Sequence, residues 1–108
     1  MVDDDLAKQR RFLLEVEQGV RMANREIIHQ RIPELSTENI LPFAVSVARL
    51  RARYLEAAFN FSEKEHGDPL DDPEIETLRH TREMYEEARD ALDALLHAIE
   101  RGYVDLDD

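Results

Sequence analysis

Leu41-Pro42-Phe43-Ala44-Val45-Ser46-Val47-Ala48-Arg49-Leu50-Arg51-Ala52-Arg53-Tyr54-Leu55-Glu56-Ala57-Ala58-Phe59-Asn60-Phe61 is the stretch that decides the fold. Wound at about 100° per residue, its apolar side chains fall on two faces. Phe43, Val47, Leu50, Tyr54, Ala57 and Phe61 make the first. Leu41, Ala44, Val45, Ala48, Ala52, Leu55 and Phe59 make the second, and only the sector with Ser46, Arg49, Arg53, Glu56 and Asn60 is consistently polar. A helix apolar over more than half its circumference has to be covered by more than one neighbour. Either it is the middle member of a three-helix bundle, or one of its faces meets another chain.

The sequence on both sides supplies the other helices. Pro33 ends a preceding helix near His29 to Arg31, and Ser36, Thr37 or Asn39 can cap the next, with Pro42 tolerable in its first turn. After Glu65, Gly67 suits a helix C-cap, Asp71 and Glu74 have capping-box spacing around Pro73, and Gly102 stops the last helix. These signals predict helices at 4–31, 39–65 and 72–101, joined by connections short enough to make neighbours antiparallel. The first has a stripe of Leu13, Val16, Val20, Ala23 and Ile27, with Leu14, Met22 and Ile28 off it. The last has a stripe of Leu78, Tyr85, Ala88, Leu92, Leu95, Leu96 and Ile99, opposite a face carrying Glu76, Glu83, Glu87 and Asp90. The expected fold is therefore all-α, an antiparallel three-helix bundle of long helices without strands. It forms a single domain over 1–108, open to completion by dimerisation.

Composition narrows the function classes. With no cysteine there is no disulfide framework, thiol nucleophile or cysteine-ligated metal. No apolar run approaches the length of a membrane span, and the start Met1-Val2-Asp3-Asp4-Asp5 is acidic where a targeting peptide is basic. A cytoplasmic protein is expected. A net charge of −11 argues against nucleic acid and anionic membrane as partners. That charge is unevenly spread. Residues 6–55 hold nine Lys/Arg against five Asp/Glu, and the remainder hold five against twenty. Opposed basic and acidic halves can face each other within one chain or across a dimer, for example Arg21 and Arg25 against Glu83 and Glu87.

Two spacings point to metal chemistry. Glu26-x-x-His29 and Glu63-x-x-His66 each set a carboxylate and an imidazole on one helical face. This resembles the carboxylate and histidine ligands of ferritin-like di-iron bundles, and the resemblance implies a metal site made of Glu26, His29, Glu63 and His66. Each pair lies at the C-terminal end of its helix. In an antiparallel chain about 25 residues of helix at 1.5 Å rise separate them, so the shared site requires a dimer. Glu83-x-x-Glu86 and Glu87-x-x-Asp90 are similar to the magnesium-binding carboxylates of all-α nucleotide pyrophosphatases of the MazG-like type. There the pairs come from separate helices, whereas here both lie on one. His80 and His97 fall off the apolar stripe and read as exposed.

No glycine-rich phosphate loop or activated nucleophile is present, and no cofactor is implied. The expectation is a non-enzymatic helical interaction module, an adaptor or regulatory subunit, whose protein partner is a second copy of itself. Its partner-binding residues are expected to be Phe43, Val47, Leu50, Tyr54 and Phe61 of the second helix with Leu14 and Met22 of the first. The alternative is a metal-binding bundle assembled across a dimer.

Overall fold

The computed structural model describes residues 2–107; Met1 and Asp108, the two ends of the expected domain, lie outside the described residues. The chain is all-α, with helices α1 (Val2–Arg31), α2 (Thr37–Glu65) and α3 (Asp72–Glu100). The expectation of no strands is corrected by two short ones, β1 (Glu34–Leu35) and β2 (Asp105–Leu106), paired in parallel. Two-residue strands carry no periodicity, so nothing in the sequence pattern announces them. The chain divides into two compact units, Thr37–Leu96 and the combination of Met1–Ser36 with His97–Asp108.

The unit Thr37–Leu96 is an α2–α3 hairpin. Ser36 stands where an N-cap residue belongs, and the helix begins at Thr37, two residues earlier than expected. Pro42 consequently sits in the second turn, where its missing N–H forfeits one helical hydrogen bond. At the far end the last turn of α2 unwinds through His66 and Gly67, both with positive φ, 49° and 93°. For a histidine that conformation is strained, and it follows the glycine-type helix stop predicted one residue later. The capping box forms as expected. The Asp71 N–H donates to Glu74 Oε1 and the Glu74 N–H donates to Asp71 Oδ1, both at 2.9 Å.

The two helices of this hairpin run antiparallel, because Arg51 reaches Tyr85 while Lys64 reaches Glu74. Val47, only 6% exposed, is the one buried apolar residue of α2, and Leu50, Tyr54, Ala57 and Phe61 beside it are half-buried. The first face of α2 is thus the packed one. On α3 the stripe continues towards the N-terminus through Thr81 and Glu74, both buried. Neither polar residue is wasted there: the Thr81 hydroxyl donates to the Thr77 carbonyl at 2.8 Å, and Glu74 closes the cap. On the surface of α3 Arg82 and Glu86 stand 3.9 Å apart at i,i+4, while Arg79 turns back to Glu76 rather than forward to Glu83.

In the other unit α1 follows the helix macrodipole, with Asp3, Asp4 and Asp5 in its first turn and His29 and Arg31 in its last. Its C-terminal end is held by the segment after α3. Gly102, at φ 75°, lets the chain leave α3 through paired bonds from the Gly102 N–H to the Ile99 carbonyl and from the Tyr103 N–H to the Ala98 carbonyl. Glu34 and Leu35 then pair with Asp105 and Leu106, and the Asp107 N–H donates to the Leu35 carbonyl at 2.8 Å. Leu35 and Val104 are buried beneath this clasp. Arg25 donates to the Gly102 carbonyl and to Asp105 Oδ1, and His29 Nε2 lies 3.0 Å from Asp105 Oδ2.

The Arg25 guanidinium, with His29 second, holds the Asp105 carboxyl below its ordinary value. A depressed folded value means that Asp105 supports the clasp fully above the ordinary aspartate range and loses that support as pH falls through the folded value. Exchange of the Asp107 amide is therefore expected to quicken relative to mid-helix amides once the pH drops below about 4. Unchanged relative protection down to pH 2 would show that Asp105 does not fasten the tail.

Candidate functional site

The second face of α2 is open. Leu41, Val45, Ala48, Ala52, Leu55 and Phe59 recur at alternating spacings of four and three, the a/d pattern of a heptad seam, and all six are exposed, Leu55 at 57% and Phe59 at 60%. A second seam lies on α1. Leu6, Leu13, Val20 and Ile27 are spaced by seven, with Val16 and Ala23 between them, and this row is exposed as well, Leu13 at 56%. Exposed apolar residues are ordinary when scattered. Rows several turns long, in heptad phase, are not, because they present continuous apolar surface to water.

The residues singled out from the sequence are distributed as follows. Val47, Leu50, Tyr54 and Phe61 belong to the packed face of α2, while Phe43 at its N-terminal end is exposed; Phe61 and Leu78 line one cavity of the hairpin, and Tyr54 and Leu78 another. Leu14 and Met22 are exposed on α1, off its seam. Met22 joins Arg25, Glu26, His29 and Gln30 around an open depression beside the clasp. This brings Glu26 and His29 together, but the His29 Nε2 is engaged by Asp105. Glu63 is exposed on α2, and His66 occupies the strained turn that ends it. Among the described residues no group of three or more histidine and carboxylate side chains converges as metal ligands do. Arg25, expected to be available for Glu83 or Glu87 of another chain, is committed to the clasp.

Two polar groupings of the hairpin escaped the sequence reading. Arg51 Nε and Nη2 donate to the Tyr85 hydroxyl at 3.0 and 2.6 Å, and the Arg51 and Arg89 guanidinia lie 5.0 and 5.4 Å from the ring centroid. The Arg51 hydrogen bond, aided by Arg89, lowers the phenol from its ordinary value. Tyr85 was visible only as a member of the apolar stripe, and its cross-helix partner depends on a register that periodicity does not supply. The other grouping joins Glu65 to Glu74 where α2 meets α3. A hydrogen bond to Glu74 and burial raise the Glu65 carboxyl, whereas the Asp71 N–H lowers that of Glu74. Lys64 stands 3.7 Å from Glu74 Oε2. These groups tie the two helices together, and Glu65 also lines the cavity that Phe61 and Leu78 border.

No helix among the described residues is long and apolar enough to cross a membrane. Comparison with protein-family models, with curated proteins and with solved structures finds no match in any of the three.

Proposed function

We propose that this chain is a non-enzymatic helical interaction module of the cytoplasm, an adaptor or regulatory subunit that self-associates as a homodimer through α2. The observation that carries the proposal is the exposed heptad row Leu41, Val45, Ala48, Ala52, Leu55 and Phe59 on the face of α2 turned away from its packed side. Burying one leucine or phenylalanine contributes about 1.5–3 kcal/mol, so a row of this length supplies enough to drive association after its entropic cost. The packed face, by contrast, is spent inside the hairpin.

Light scattering at micromolar concentration tests the proposal. The unaltered chain is expected at twice 12.6 kDa, and Leu55→Glu at 12.6 kDa with its helical circular dichroism intact. Leu55 is already exposed, so the charge costs the isolated chain little. A clean monomer for the unaltered chain would remove the homodimer and with it this role for α2.

A further inference from the structure

We infer that the surface which covers the α2 seam is the α1 seam of a second molecule, laid antiparallel, so that two copies exchange helices reciprocally. The inference rests on the proposed self-association through α2 and names what docks there. Both seams repeat with the same alternation of three and four residues, and both are exposed. Set antiparallel, they fit layer by layer. Leu13 meets the partner's Leu55, Val16 meets the partner's Ala52, Val20 meets the partner's Ala48, and Ala23 meets the partner's Val45. A bulky residue faces a small one in three of these four layers, the interdigitation that close helix packing requires.

Charge selects this register. Along one edge Arg10 comes opposite the partner's Glu56, and Glu17 opposite the partner's Arg49. A slip of one heptad in one direction sets Arg10 against the partner's Arg49, and in the other direction Glu17 against the partner's Glu56. Along the other edge Gly19 lies near the partner's Arg51, and a Cβ built on Gly19 has no neighbour within 4 Å in the single chain, so that edge has room for the long side chain.

Both pairings of α1 with α1, and the antiparallel pairing of α2 with α2, are poorer. Two α2 seams laid antiparallel oppose Arg49 to the partner's Arg49, and two α1 seams laid antiparallel oppose Glu17 to the partner's Glu17. Two α1 seams laid parallel stack Gln9, Ala23 and Gln30 each on its own copy, leaving polar or underfilled layers. Arg25 and His29, which hold the clasp, lie on the side of α1 away from Leu13, Val20 and Ile27, so the clasp stays closed while the seam is occupied.

The chain has no cysteine, so introduced thiols are the only ones. Chains carrying Val16→Cys are mixed with chains carrying Ala52→Cys, allowed to exchange and oxidised. Both sites are exposed in the single chain, and circular dichroism checks that each variant remains helical. The expected result is a disulfide between the two kinds of chain, and far less when Leu41→Cys replaces Ala52→Cys. Arg49→Glu is expected to weaken the dimer about tenfold, and adding Glu17→Arg in the same chain to restore it. A dimer that gives no preferential Val16–Ala52 cross-link overturns the α1 docking and leaves self-association through α2 standing. A protein of monomer mass, cross-linking only when both substitutions share one chain, overturns both.

Discussion

Val47→Asp is expected to abolish cooperative unfolding of the α2–α3 hairpin. Val47 is the most covered side chain of α2 and stands midway along its packed face between Phe43 and Leu50. Placing a carboxylate there removes the apolar contact and leaves a charge out of water without a partner, a cost of several kcal/mol. A domain of this size has about 5–15 kcal/mol of total stability, so the loss consumes a large part of it. Thermal melts followed by circular dichroism at 222 nm should lose their sigmoidal transition, whereas Ser46→Asp, on the polar sector next door, should leave it in place. A cooperative melt in Val47→Asp at the parent temperature would mean that the other face of α2 is the one that packs.

Val104→Asp is expected to release the C-terminal segment while both long helices of the hairpin persist. Val104 is 3% exposed, and the clasp above it otherwise consists of a two-residue ladder and a few exposed polar contacts to Arg25 and His29. Each of those hydrogen bonds contributes about 0.5–1.5 kcal/mol net, and surface ion pairs contribute less still. A desolvated carboxylate costs more than they return, so the segment undocks in preference to burying it. Hydrogen exchange should then show the Asp107 amide, normally bonded to the Leu35 carbonyl, exchanging as in an unstructured peptide, with the mid-α3 amides still protected. Retained protection at Asp107 would place the strength of the clasp in Arg25 and His29 instead.

Much of this architecture is legible in the amino-acid sequence. Hydrophobic phase located the three helices, and their ends were written in Asp71, Glu74, Gly67 and Gly102, residues whose capping chemistry acts locally. The choice between the two faces of α2 was not legible, because both are apolar and both repeat in heptads. Phase reports which residues share a face and is silent on which face a neighbour takes. Glu74 and Thr81 were overlooked as covered positions since their side chains are polar, although each falls where the α3 stripe extends. The clasp lay beyond reach for a different reason. Asp105 and Arg25 are 80 residues apart, and no local rule joins a two-residue strand to a partner at that separation.

That separation also orders events in time. The hairpin Thr37–Leu96 is one continuous run, so its contacts can form while the chain is still emerging from the ribosome. The unit that contains α1 is discontinuous: Leu35 has no strand to pair with until Asp105 and Leu106 have been made. α1 is therefore the first of the three helices to be synthesised and the last to have its end secured, and in the interval its C-terminal turn is without the clasp and open to fraying and proteolysis. Bulk added close behind β2 lies at the segment that completes this late step, whereas bulk added before α1 does not.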